Sequence, residues 1–324
     1  MYELIGAFLD QNNISYKTDI PLSRFSYFKT GGNIAFLILP DSLKKLQDLV
    51  KFFKKNTLIY TIFGNTSNCI FKDDTNIDFL INLKKIKYMD IEENEIIVGA
   101  GYSLPKFVYK CAQQGIMGFE GLEGIPGTIG GAVIMNAGSY GYDIGDNIKK
   151  VLTLNSLGKI IEYNKESLVF DFRYSNFKDT PDEIIFEIVF DILEQDISKA
   201  SQIKAKMNQY KQHRYLFLER NFPNVGSVFK TDDIYRDIAK ENIGYRVLLF
   251  IVRTFVHRLL RIKDNRLLNY LTFKYFNINY QKIVSQKTMN TVINVKSKTN
   301  NIEKYINHVK SISNNSLELE IEII

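Results

Sequence analysis

At 324 residues, 45% apolar and 24% charged, the chain is long enough for two or three domains with a large core and too apolar for a disordered protein. The net charge of +6 comes with only three histidines (His213, His257, His308) and two cysteines (Cys69, Cys111), none at metal-ligand spacing. A protein-bound metal and a disulfide framework are therefore not expected, and this cysteine usage fits a reducing cytoplasm.

In chain order, MYELIGAFLDQNNISYK carries acids within its apolar stretch and lacks a basic start, so it reads as an amphipathic first helix and not a secretory signal. A glycine turn, FKTGGN (28–33), precedes a strand, IAFLILP. The spacing of Leu43, Leu46, Leu49, Val50 and Phe53 then predicts a helix over 42–56, with Ser42 as its cap. TLIYTIFG predicts a strand that runs into a second glycine turn, Gly64-Asn65-Thr66-Ser67-Asn68, and FLINL and EIIVGAG predict two more strands. A helix is expected from Ser103 to a stop at Gly115, with Pro105 tolerated in its first turn. The run from Gly118 to Gly145 holds nine of the nineteen glycines, which no regular element tolerates; it reads as a shaped loop system.

Strands VLTLNS, KIIEYN and IIFEIVFDIL follow, then a helical stretch from about Asp196 to Gln212 and the turn-like NFPNVGSVFK (221–230). From Arg236 to Lys282 there are ten Lys and Arg against three Asp and Glu, so this span holds the whole charge surplus. Within it, VLLFIVRTFVHRLLRIK (247–263) is too interrupted by charge to cross a bilayer. The simpler reading is a basic amphipathic helix packed on its own domain; attachment to an anionic membrane or a partner is the sharper alternative. No RNA-binding signature accompanies the charge, so nucleic acid is not an expected partner. The chain closes on strand KIVSQ (282–286), strand NTVINV (290–295), a helix over 301–313 and strand SLELEIEII (316–324). The alternation makes an α+β protein of more than one domain.

Neither GxGxxG after a strand nor GxxxxGK[ST] occurs, so the common nucleotide fingerprints do not apply. Glycine-rich turns can still bring backbone N–H groups close to a pyrophosphate, and three such loops flanked by strands point to a large phosphate-bearing cofactor. Ser227, after Gly226, reads as a nucleophile, a phosphate-binding turn or an ordinary turn, with no GxSxG elbow and no nearby histidine.

PLSRFSYFKTGG, FGNTSNCIFKD, GLEGIPGTIGGAVIMNAGSYG, FDFRYSNFK, NFPNVGSVFK, VSQKTMNTVINV and LELEIEI occur in the order found in UDP-N-acetylenolpyruvoylglucosamine reductases, which the chain resembles over nearly all its length except 232–280. The resemblance implies a two-part FAD-binding region of the PCMH/vanillyl-alcohol-oxidase type with a smaller α+β substrate-binding domain. It divides the chain into 1–74 (to which the strand 316–324 may return), 75–197 and 198–315, with 236–282 atypical. It further implies a cytoplasmic, monomeric enzyme that moves hydride from NADPH through FAD to the enolpyruvyl ether of a UDP-sugar, a small-molecule substrate in peptidoglycan precursor synthesis.

Carried over by motif, the flavin-binding positions are Thr30, Gly31 and Gly32 in the first loop and Gly64, Asn65, Thr66, Ser67 and Asn68 in the second. In the third they are Gly124, Pro126, Gly127, Thr128, Gly130, Gly131, Asn136, Ala137 and Gly138. Ser227 matches the family's proton donor, Arg173 its active-site arginine and Glu320 its terminal acid, while Lys230, Arg214 and Asn224 are carried as substrate-binding candidates. Read without the family, Glu318, Glu320 and Glu322 are one solvated strand face. An enolate carbon is basic enough to take a proton from a well-placed neutral hydroxyl, so Ser227 needs no histidine.

The chain departs from the family's pattern at Thr66 in the second loop, where a side chain crowds the pyrophosphate if φ is positive. It departs again at Thr231-Asp232 after the GSVFK motif, in the long basic segment that follows, and at Thr288. These leave two alternatives: a paralogue acting on another enolpyruvyl sugar nucleotide, or a catalytically inactive FAD-binding protein with the basic helix as an interaction surface.

Overall fold

The helix Leu43–Lys55 forms as the apolar spacing predicts: Lys45 N–H donates to Ser42 Oγ at 3.4 Å, and Leu46, Leu49, Val50 and Phe53 are buried. Lys54 and Lys55 lie in its last turn, where they complement the helix dipole. The first helix, Tyr2–Gln11, buries Ile5 and Leu9. The computed structural model describes residues 1–259 and 264–324, so the last four positions of the basic stretch 247–263 lie outside the described residues.

Two compact units interleave along the sequence. The first comprises Met1–Ile20, Asn33–Asn65 and Asn76–Lys211. A four-stranded sheet there has the order Ser15–Pro21, Asn33–Leu39, Ile77–Ile81 and Thr61–Ile62, the last three strands running parallel. A five-stranded antiparallel sheet has the order Ile160–Asn164, Ile148–Leu154, Ile184–Asp191, Glu95–Gly99 and Met89–Ile91. Its central strand, Ile184–Asp191, is buried at nearly every position, as a continuous apolar run requires. Phe107, Phe119 and Phe190 meet at centroid distances of 4.9 to 5.6 Å and fix the helix Leu104–Gln113 to this sheet. Gly115 ends that helix at φ 70°, where an added Cβ would strike the backbone of Asp196.

The second unit comprises Pro21–Gly32, Thr66–Thr75 and Gln212–Ile324. Its core is built on phenols with assigned partners: Tyr305 donates to Met289 O at 2.5 Å, Tyr235 donates to Asn269 Oδ1 at 3.3 Å, and Tyr245 shares a hydrogen bond with Thr272 at 2.7 Å. Helices Ile234–Glu241, Ile243–Val252, Arg266–Tyr275 and Thr299–Ile312 surround it, and a π-helical turn, Arg253–Leu259, continues the second of them.

Four expected strands change in the structure. KIVSQ and NTVINV are not regular strands but meet through an isolated bridge, Val284 to Val292, with backbone bonds from Ser285 N–H to Thr291 O at 2.9 Å and from Ile293 N–H to Ile283 O at 2.8 Å. Residues 316–324 reduce to a short strand, Glu322–Ile323, parallel to Cys69–Ile70. Thr57 at φ 54° delays the strand expected over 57–64, leaving Thr61–Ile62.

Candidate functional site

Within the first unit a cleft of about 530 Å³ is lined by Asn65, Gly101, Tyr102, Ser103, Pro105, Pro126, Gly127 and Thr128, with Lys84, Lys87 and Lys106. The third glycine loop reaches it by being pinned to the turn at 100–104. Leu104 N–H donates to Gly127 O at 3.1 Å, Ile129 N–H to Tyr102 O at 2.9 Å and Gly130 N–H to Ala100 O at 2.9 Å. Thr128 caps the short helix Ile129–Ile134. Glycine is required where these walls touch. A Cβ at Gly64 would collide with Thr128 Oγ1, and one at Gly130 would lie 2.9 Å from Ala100 Cβ. Asn82 donates to Phe63 O at 2.6 Å and Gly64 O at 2.8 Å, holding the second loop in place.

Glycine-rich backbone beside three ammonium groups suits a phosphate-bearing ligand, because those cations raise the local concentration of anions. The glycine motifs do not point to the lysines or to Asn82. The signal was the basic run LKKIK (83–87) at the end of the strand Ile77–Ile81, directly after Asn82.

Arg173 lies at the tip of a two-residue hairpin loop between Phe170–Asp171 and Tyr174–Ser175. Its φ is 57°, a conformation that glycine or asparagine fills at far lower cost. Arg173 Nη2 donates to Gly138 O at 2.9 Å, Nη1 lies 4.0 Å from Asp143 Oδ1, and the guanidinium stands 4.8 Å from the Phe172 ring centroid. Burial and then Asp146 push the Asp143 carboxyl up, and Arg173 pulls it back. Asn136, at φ 41°, donates to Asp171 O at 3.0 Å and accepts from Gly145 N–H at 3.1 Å. Asn136 and Gly138, expected at the flavin, therefore brace the arginine hairpin.

In the second unit the turn at Ser227 is held on both flanks. Asn224 Oδ1 accepts from Gly226 N–H at 3.1 Å, and Gly226 takes φ 77°. Val228 N–H donates to Asn290 O at 2.8 Å, and Glu320 N–H donates to Val228 O at 2.9 Å. Asn290 side-chain atoms pair with both backbone groups of Phe229, at 2.8 and 3.0 Å. The fold thus places the half-buried Glu320 one register step from the half-buried Ser227. Asn68 donates to Glu320 O at 2.9 Å and accepts from Glu322 N–H at 3.0 Å, so this loop residue anchors the terminal strand.

The three terminal glutamates do not share one environment. Glu318 is exposed and lies 3.5 Å from Lys230 Nζ, whereas Glu320 is half-buried. Thr288 accepts from Asn290 N–H at 3.1 Å and so supports the same turn. Arg214 is buried in the helix Ala200–Phe217.

Thr30 and Thr66 also belong to this unit. Thr30 Oγ1 is buried without a hydrogen-bond partner among the described residues, an unmet polar group of the kind that a ligand atom satisfies. Gly31, at φ 109°, packs against Leu22 and Phe71, and Gly32 uses both its backbone groups internally. Thr66 does take positive φ, 53°, and its Oγ1 accepts from Tyr27 N–H at 2.8 Å, which offsets part of the backbone strain. Thr66→Ser keeps that acceptor without the β-branch and should leave the melting temperature unchanged or higher. Thr66→Ala should cost about 1 kcal/mol from the lost hydrogen bond. Equal melting temperatures for the two variants would show that the bond contributes nothing.

A family profile described as FAD binding domain matches residues 34–164. The chain is 32% identical over 222 residues to UDP-N-acetylenolpyruvoylglucosamine reductase of Lactobacillus acidophilus, covering 68% of this chain and 73% of that one. The same comparison with the Staphylococcus aureus enzyme (strain N315) gives 33% over 218 residues, 67% and 70%. The crystal structure of UDP-N-acetylenolpyruvylglucosamine reductase from Thermus caldophilus superposes with a TM-score of 0.67 at 21% identity, covering 96% of this chain and 98% of that one. That likeness shows a shared α+β fold.

Proposed function

This chain belongs to the UDP-N-acetylenolpyruvoylglucosamine reductase family and is an FAD-dependent oxidoreductase of that type; from that premise we propose that it reduces the enolpyruvyl ether of UDP-N-acetylglucosamine with NADPH as the hydride source and Ser227 as the proton donor. Bound FAD supplies the hydride-transfer chemistry. The residues present fit such a group: the first unit holds a cationic, glycine-walled cleft. We assign the cofactor's phosphates to the cleft around Gly64, Asn65, Gly127 and Thr128, with Lys84, Lys87 and Lys106 as countercharge.

The single observation that carries the catalytic reading is the Ser227 turn. Asn224, Asn290 and the Glu320 backbone fix it, and no hydrogen bond among the described residues engages the Ser227 hydroxyl. A hydroxyl fixed in place but uncommitted is what protonation of a carbon requires. As negative charge develops on the substrate's enolate and carboxylate, the Arg173 guanidinium offers a planar cation that stays protonated at any working pH. Glu320 is the acid beside the donor, and Lys230 is assigned to the substrate's phosphates. In this scheme residues 1–197 hold the flavin and lend Arg173 to the substrate, which 198–315 bind.

The test follows NADPH absorbance with purified, flavin-loaded protein. Oxidation should run only when UDP-N-acetylglucosamine enolpyruvate is added, and the product should be UDP-N-acetylmuramate. Bound flavin without substrate-dependent turnover would defeat this reading for that substrate.

A further inference from the structure

The helix Ile243–Val252 buries Tyr245, Leu249 and Val252 against its own unit. The opposite side should then be polar, and it is not. Ile243 is 76% exposed, Phe250 70%, Phe255 60% and Leu259 64%, with Val247 and Ile251 also exposed. Spacing of three, four and seven residues puts these side chains along one stripe, which the π-helical turn carries on to Leu259. An isolated exposed leucine means nothing, whereas a contiguous stripe of large apolar groups marks a surface that something covers.

The charge around the stripe identifies the covering surface. Arg253 and Lys240 are neutralised within the unit, by Asp233 at 2.5 Å and Asp237 at 2.7 Å. Arg246, Arg258, Arg266 and Lys274 form no ion pair with a carboxylate of the described residues, so the local surplus faces outward. A second copy of this chain would bring two such surpluses together, which opposes self-association. The exposed apolar and basic groups are also spread over two packed helices. Arg266, Leu267, Tyr270 and Lys274 lie on Arg266–Tyr275, which is tied to the first helix by the Tyr245–Thr272 hydrogen bond. A groove in a partner protein accepts one helix, but a planar interface accepts both.

We propose that this face docks on an anionic lipid bilayer, with Phe250 and Phe255 entering the headgroup–acyl boundary and Arg258 and Arg266 meeting acidic headgroups. No helix of the described residues is long and apolar enough to cross a membrane, so the attachment lies in the plane of the surface. Its strength should fall with salt, since the cationic contribution is screened.

The experiment is flotation of the full flavin-loaded protein with vesicles of phosphatidylcholine alone or mixed with one third phosphatidylglycerol. Binding is expected on the anionic vesicles only, weakening as salt rises. Phe250→Ser with Phe255→Ser should reduce the partition coefficient roughly tenfold or more through lost apolar burial. Arg258→Gln with Arg266→Gln should reduce it roughly tenfold while touching only exposed charges. Both variants should keep the wild-type melting temperature and NADPH-linked turnover. Absence of binding to anionic vesicles at low salt would overturn the proposal, as would undiminished binding by both variants. A concentration-dependent dimer abolished by the serine pair would assign the face to a second copy instead.

Discussion

Replacing Ser227 with alanine should lower turnover of the enolpyruvyl substrate by roughly 10²–10⁴, the usual contribution of a positioned acid. That corresponds to about 3–5 kcal/mol of transition-state stabilisation. Flavin content and the reduction of the protein by NADPH without substrate should be unchanged, because the turn does not depend on the hydroxyl: its hydrogen bonds run through Asn224, Asn290, Val228 and Glu320. The split between an intact first half-reaction and a slowed second one is the informative readout. A purely structural serine would move both, or neither. Near-normal turnover by the alanine variant would remove Ser227 from the chemistry.

Much of this was legible in the sequence because it depended on local rules. The helix 43–55 followed from a cap and a 3.6-residue period, and the glycine loops from a density that no regular element tolerates. The family motifs supplied the candidate site residues. What stayed hidden was non-local. Asn290 lies far from Phe229 in sequence, yet its side-chain amide replaces a strand partner there, and no pattern of apolar spacing announces that. The segments 282–286 and 290–295 read as strands by their apolar pattern, yet they pair only through a short bridge. Lys84, Lys87 and Lys106 come from two separate elements and acquire meaning only when the cleft assembles. Asn68 and Asn136 match cofactor positions by motif, and they also hold the terminal strand and the arginine hairpin.

Arg173 offers the sharper contrast between stability and activity. At φ 57° a non-glycine residue costs about 1–2 kcal/mol, and the hairpin tolerates this at its tip. Arg173→Gly would release that strain. It would also lose the donor to Gly138 O, about 1 kcal/mol net, and the contact with Phe172, about 0.5–1 kcal/mol at a partly exposed site. The added flexibility of the unfolded chain costs roughly 0.5–1 kcal/mol more. These terms leave a net loss of about 1 kcal/mol, so the melting temperature should fall by about 2–4 °C. Activity has no such compensation. Removing one preorganised cation from developing negative charge costs roughly 10²–10³ in turnover, far more than a change of about 1 kcal/mol in folding can mimic while the protein stays folded. Arg173→Lys keeps the charge but loses the planar fork, and should fall between wild type and glycine. A glycine variant that melts normally and turns over normally would show that the strained conformation serves packing alone. Normal melting with lost turnover, partly restored in the lysine variant, would place the guanidinium on the substrate's developing charge.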